Sequence, residues 1–151
     1  MREILFRGKH RDEGFVYGYV GVFKGITQIY VPFTEEEEKA NHSVLRSAIG
    51  GLWYEVDHST VGQYTGLTAN GKKIFEGDIV RGRHWTSYND KNPEDFHLWR
   101  VDWNEKSGLI TFVDSPTTKA RMSIHDFADF EEVEVIGNVH DNPELLEVSH
   151  E

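Results

Sequence analysis

VGQYTGLTANGKKIFEGDIV, residues 61–80, decides the fold class of this chain. Two tight-turn groups, Asn70-Gly71 and Glu76-Gly77-Asp78, separate short apolar runs, which is the punctuation of antiparallel strands joined by hairpins. Gly77 suits positive φ at the entry to the next strand, and the Asp78 carboxylate suits backbone amides that the turn leaves unpaired. Asn70, Gly71, Gly77 and Asp78 are therefore read as structural turn residues. Glu76 and Asp78 as an acid/base or metal pair would lack a neighbouring carboxylate or histidine to complete a ligand set.

The same pattern extends in both directions. Residues 3–7, 14–20 and 26–31 are rich in aromatic and β-branched types, with Lys24-Gly25 where a hairpin turn belongs. Thr34 followed by Glu35, Glu36 and Glu37 has the spacing of a capping box, which predicts a short helix to about Ala48 closed by Gly50-Gly51. Further strands are predicted over 52–56, 60–64, 73–75, 78–84, 97–103, 109–113, 121–124 and 132–139. Lys106, Ser107 and Gly108 make a hairpin tip, and Asn142 with Pro143 opens a second short helix in which Asn caps. The expected fold is mainly β, a single domain over 1–151. N-terminal strands and a short helix occupy 1–50, an SH3-like or related small β-barrel core occupies 51–140, and a short helix or tail ends the chain over 141–151. The N-terminal strands would pack separately or exchange between subunits.

A chain of 151 residues can bury about 70% of its unfolded surface and needs no staple. It contains no cysteine, which excludes disulfides, thiolate zinc sites, iron–sulfur clusters and a cysteine nucleophile. No apolar run reaches signal-peptide or membrane length, so the expectation is a soluble cytoplasmic protein without a membrane partner. The net charge of -10 is concentrated at one end: residues 126–151 hold nine acidic side chains and no Lys or Arg. The other end is locally basic, with Arg2, Arg7, Lys9 and Arg11. Attraction between the two ends, within or between subunits, motivates an expected homo-oligomer.

Chemistry-bearing motifs are sparse. There is no HExxH, GxSxG, glycine-rich phosphate loop or kinase-type set, so no catalytic residue, metal or cofactor is predicted. His84 and His97, with Asp90 or Asp95 between them, are the least poor metal candidates among eight histidines. A binding reading falls on Arg81, Arg83, Trp85, Tyr88, Trp99 and Arg100, with Lys91 and Trp103 nearby, because cations interleaved with rings can hold phosphates and stack bases. The competing reading packs Trp99 and Trp103, which share strand parity, into the core while Arg100 and Asp102 face solvent. Gln63, Tyr64, Thr65 and Gly66 offer a polar edge, but a Tyr-Thr pair in a strand is more naturally half-buried.

Three stretches resemble the YopX family of bacteriophage and prophage proteins: the opening REILFRG, the segment from Thr60 through QYTGL, NGK and FEGDIV, and EVIGNVHDNPELL from Glu134. The resemblance implies a small phage-encoded accessory protein without an assigned reaction, and it transfers no catalytic residues. Together these readings point to a non-catalytic module that binds itself and a host or phage protein. Nucleic-acid binding through the Arg81 to Trp103 region is the alternative, as is imitation of nucleic acid by the acidic C-terminal segment.

Overall fold

A computed structural model describes residues 3–40, 50–84, 97–107, 109–114, 121–123 and 130–147. The chain forms two compact units, Met1–Tyr64 and Thr65–Glu151. Strands dominate both, as expected for a mainly β protein, and the described strands lie in open antiparallel sheets without closing a barrel.

In the first unit the strands are β1 (Phe6–His10), β2 (Gly14–Phe23), β3 (Ile26–Pro32), β4 (Gly51–Glu55) and β5 (Asp57–Ala69), ordered β4-β3-β2-β1-β5. The β2–β3 hairpin turns at Lys24 and Gly25, both at positive φ (50° and 79°), the backbone that fits a two-residue turn to the twist of its strands. Helix α1 (Glu35–Ala40) follows β3. Its capping box is closed both ways: the Glu37 amide donates to Thr34 Oγ1 at 3.2 Å, and the Thr34 amide donates to Glu37 Oε2 at 2.9 Å. The predicted extension towards Ala48 lies outside the described residues. Ile29 and Val56 are buried here, and buried Thr27 meets His58 Nδ1 at 2.9 Å through its hydroxyl.

β5 continues past Tyr64 into the second unit and turns at Asn70 and Gly71 (φ 51° and 76°) into β6 (Lys72–Phe75). Thr65, buried in this run, donates its hydroxyl to the Ile74 carbonyl at 2.9 Å across the hairpin. The remaining strands are β7 (Asp78–His84), β8 (His97–Asn104), β9 (Leu109–Asp114), β10 (Arg121–Ser123) and β11 (Phe130–Asn138), ordered β10-β9-β8-β7-β11. β11 is bulged twice against β7, between Glu131 and Glu134 and between Val135 and Gly137, and Glu132 sits at φ 54°. Ala69, Ile74, Val80, Trp99, Val101 and Ile110 form the core, with Leu67, Val133 and Val135 packed against it.

Two local expectations are corrected. Trp103 shares parity with Trp99 and stands opposite the core residue Ile110 of β9, but next to the end of β8 it is 47% exposed. The final helix is a single 3₁₀ turn, Pro143–Leu146, and the Asn142 side chain does not cap it. Asn142 Oδ1 turns back to accept from the Asn138 amide at 3.3 Å, so it closes the preceding turn instead.

Candidate functional site

The first unit presents an aromatic sheet face. Residues 17, 19, 21 and 23 of β2 share one side of the pleat, and register carries that side across the sheet: Tyr19 stands opposite Tyr30 of β3, which stands opposite Trp53 of β4. The Tyr30 and Trp53 rings are 5.1 Å apart at 46°. Glycines make room for them. A Cβ at Gly21 would lie 3.2 Å from Trp53 Cζ3, and one at Gly51 would lie 2.7 Å from Tyr30 Cζ. The row remains open to solvent: Tyr17, Tyr19 and Trp53 are exposed, with Phe23 (71% exposed) and Ile26 facing the same way at the hairpin end. Isolated apolar residues on a surface need no explanation, but a contiguous aromatic row across three strands is a candidate binding face.

The outer edge of β4 adjoins this face. The Phe33 amide donates to the Gly50 carbonyl at 2.9 Å, and the Val56 amide donates to the Thr27 carbonyl at 3.0 Å. The strand alternation between these anchors turns the backbone groups of Leu52 and Tyr54 towards β3 and those of Gly51, Trp53 and Glu55 away from it. β4 ends the strand order, so among the described residues these outward groups have no strand partner.

A cleft of about 550 Å³ in the same unit is lined by Lys9, His10, Arg11, Glu55, Val56 and Asp57. His10 Nδ1 accepts from the amides of Asp12 (3.2 Å) and Glu13 (3.1 Å), while its ring meets Tyr54 edge-on at 5.4 Å. That bonding commits Nδ1 as an acceptor and gives His10 a role in shaping the turn after β1. Asp57 Oδ1 is likewise occupied by the amide and hydroxyl of Ser59, at 3.0 and 2.8 Å. Lys9 and Arg11 with Glu55 and Asp57 give the lining both signs of charge, and Arg11 is itself paired with Asp12 at 3.3 Å. Among the described residues no group of three His, Cys, Asp or Glu side chains could hold a metal.

The residues singled out from sequence are distributed differently. Val80 pairs with Trp99, and both are buried; Arg81 and Arg100 belong to the other parity, opposite Leu98 and Ile79 respectively. The sheet thus brings Arg81 and Arg100 to one side and Trp99 to the other. Arg100 pairs with Asp102 at 3.0 Å, and Arg81 stands across from exposed Glu134. Arg83 is placed only by register, opposite Glu131. Trp85, Tyr88, Lys91, Asp90 and Asp95 lie outside the described residues; His97 is placed by register opposite Gly82, two residues from His84. In the acidic segment Glu132, Glu134, Asp141, Glu144 and Glu147 are exposed.

The signature residues form a framework. Asp78 is 1% exposed, and its Oδ2 accepts from the Phe75 amide at 2.8 Å. Gly77, at φ 86°, donates to the Val101 carbonyl and accepts from the Val139 amide, both at 2.8 Å. One turn thereby ties β6, β8 and the end of β11 together. Tyr64 and Thr65 are buried, so they offer no polar binding edge.

The family model described as YopX protein matches residues 22–147. The chain belongs to the YopX family. The match takes in the FEGDIV and EVIGNVHDNPELL stretches and begins after the opening REILFRG. A search of curated proteins returned no match. The family match therefore fixes kinship and leaves activity to be argued from the site. Sequence reading missed the aromatic face, although Tyr17-Gly18-Tyr19 carried its signal: two large rings at period two, separated by a residue without a side chain.

Proposed function

We propose that this YopX-family chain is a phage or prophage accessory protein that acts without catalysis in the bacterial cytoplasm. It binds another protein through the aromatic face of its first unit. The observation that carries this reading is that exposed Tyr17, Tyr19 and Trp53, linked by half-buried Tyr30, form a row which register places on one side of three adjacent strands. Tyr and Trp are enriched in protein interfaces because they contribute large contact area at small conformational cost.

Nucleic acid is the less favoured ligand, because the buried Trp99 and the Arg81/Arg100 side do not combine into a stacking platform. Affinity capture from phage-infected cells, repeated after nuclease treatment, separates the two. Recovery of a protein partner that survives nuclease and is lost on replacing Tyr17 and Tyr19 with Lys is expected. Recovery that disappears with nuclease would overturn the proposal.

A further inference from the structure

Among the described residues the aromatic face has an open strand edge beside it, and this edge specifies what kind of partner segment fits. Gly51, Trp53 and Glu55 turn their backbone N–H and C=O groups outward from β4. Natural sheet edges are commonly blunted by Lys, Pro or a bulge. β4, Gly-Leu-Trp-Tyr-Glu, has no Lys or Pro, pairs with β3 in unbroken register, and exposes Leu52 and Trp53. Such an edge can add a strand, with main-chain hydrogen bonds supplying affinity and alternate side chains supplying selectivity.

Charge distinguishes the possible occupants. Pro32 pairs with Gly51, and α1 starts three residues beyond Pro32, within about 10 Å along the chain. Its first turn is Glu35, Glu36, Glu37 and Glu38, all exposed. The Gly51 end of the edge is therefore strongly acidic. At the other end Glu55 and Asp57 line the same cleft as Lys9 and Arg11, so the charge there is mixed. A second copy pairing antiparallel about a two-fold axis would bring each Glu55 towards the partner's acidic helix, and each chain carries a net charge of -10. A foreign strand that ends in cations at α1 avoids that repulsion.

We propose that the outer edge of β4 takes up an extended segment of another protein as an added antiparallel strand, with alternating apolar side chains and Lys or Arg at its C-terminal end. This rests on the protein-binding reading above and names the segment that the site accepts. Antiparallel addition continues the arrangement of every described pair in this unit and puts the C-terminal end of the incoming strand at Gly51, beside α1.

The test measures fluorescence anisotropy of end-blocked, labelled peptides with the full chain at low salt. TVTVTVKK is expected to bind about tenfold more tightly than TVTVTVEE, and about threefold more tightly than KKTVTVTV, which places its charge at the mixed end. N-methylation of alternate amides on the pairing edge of TVTVTVKK should abolish binding. Trp53→Lys removes the indole but keeps the backbone donor and should weaken binding about tenfold; Trp53→Pro removes the indole and, of the backbone groups, only an outward-facing donor, and should abolish binding with the far-UV circular dichroism spectrum unchanged. Equal binding of all three peptides, binding of none, or retained binding by Trp53→Pro would overturn the proposal. So would sedimentation showing a dimer that Trp53→Pro dissolves, because the occupant would then be a second copy. The edge inference fails alone if no peptide binds while partner capture still depends on Tyr17 and Tyr19; if that dependence also disappears, the protein-binding reading fails with it.

Discussion

Replacing Asp78 with Ala should destabilise the second unit by about 2–4 kcal/mol. The carboxylate is 1% exposed and accepts the Phe75 amide at 2.8 Å, and Phe75 is itself 3% exposed. A hydrogen bond to a charged acceptor contributes about 1.5–3 kcal/mol, and a donor left buried without a partner costs about 1–3 kcal/mol. These overlap, because the second is part of what losing the first entails, so the range is less than their sum. The loss also loosens the adjoining turn, where Gly77 bonds to both Val101 and Val139. Asp78→Asn retains an acceptor oxygen and removes the charge, so it should cost about 1 kcal/mol. Urea titration followed by tryptophan fluorescence reads both variants: at a slope near 2 kcal/mol per molar, Asp78→Ala should lower the midpoint by about 1–2 M and Asp78→Asn by about 0.5 M. Equal midpoints for both variants, within about 0.3 M of the wild type, would refute the framework role of Asp78.

Gly18→Ala should be severely destabilising, by more than about 3 kcal/mol, because its Cβ would lie against the Tyr30 carbonyl in the adjoining strand, where backbone must yield; denaturant midpoints check this. Gly21→Ala meets only the exposed Trp53 ring at 3.2 Å and should change stability by less than about 1 kcal/mol in the same assay. Gly71→Ala meets no atom within 4 Å but keeps φ at 76°, so it should cost about 1 kcal/mol through backbone strain alone, read from the melting temperature. Thr34→Ala removes one half of the capping box and should raise amide hydrogen exchange in α1 about fivefold, corresponding to about 1 kcal/mol.

The strand framework was legible because its signals are local. Lys24-Gly25 and Asn70-Gly71 announce their turns by composition, Thr34 to Glu37 announces a helix start, and Gly77-Asp78 announces a strand entry that the buried carboxylate completes. The β7 bounds, Asp78–His84, match the stretch read from sequence. Chemical pattern was a poorer guide to the site. Trp99 and Arg100 are adjacent in sequence and Arg81 lies on the strand paired with theirs, yet alternation separates the ring from the cations, since which face is buried depends on partners distant in sequence. Trp103 shows the same limit: parity assigned it the side of buried Ile110 opposite, yet next to the strand end it is 47% exposed. The aromatic face joins Tyr19, Tyr30 and Trp53 across more than thirty residues, so register created it. Asn142 was read as the cap of the final helix, but its Oδ1 accepts from the Asn138 amide behind it and makes no cap bond.

The central claim, that the aromatic face of the first unit is where a protein partner docks, is tested most directly by capturing partners on wild-type chain and on a Tyr17→Lys/Tyr19→Lys chain side by side. Both tyrosines are exposed on the open side of β2, so the double variant should melt within a few degrees of the wild type. The face reading predicts a nuclease-resistant protein partner on the wild-type chain, reduced at least about tenfold on the variant. Equal recovery of that partner by both chains would contradict it.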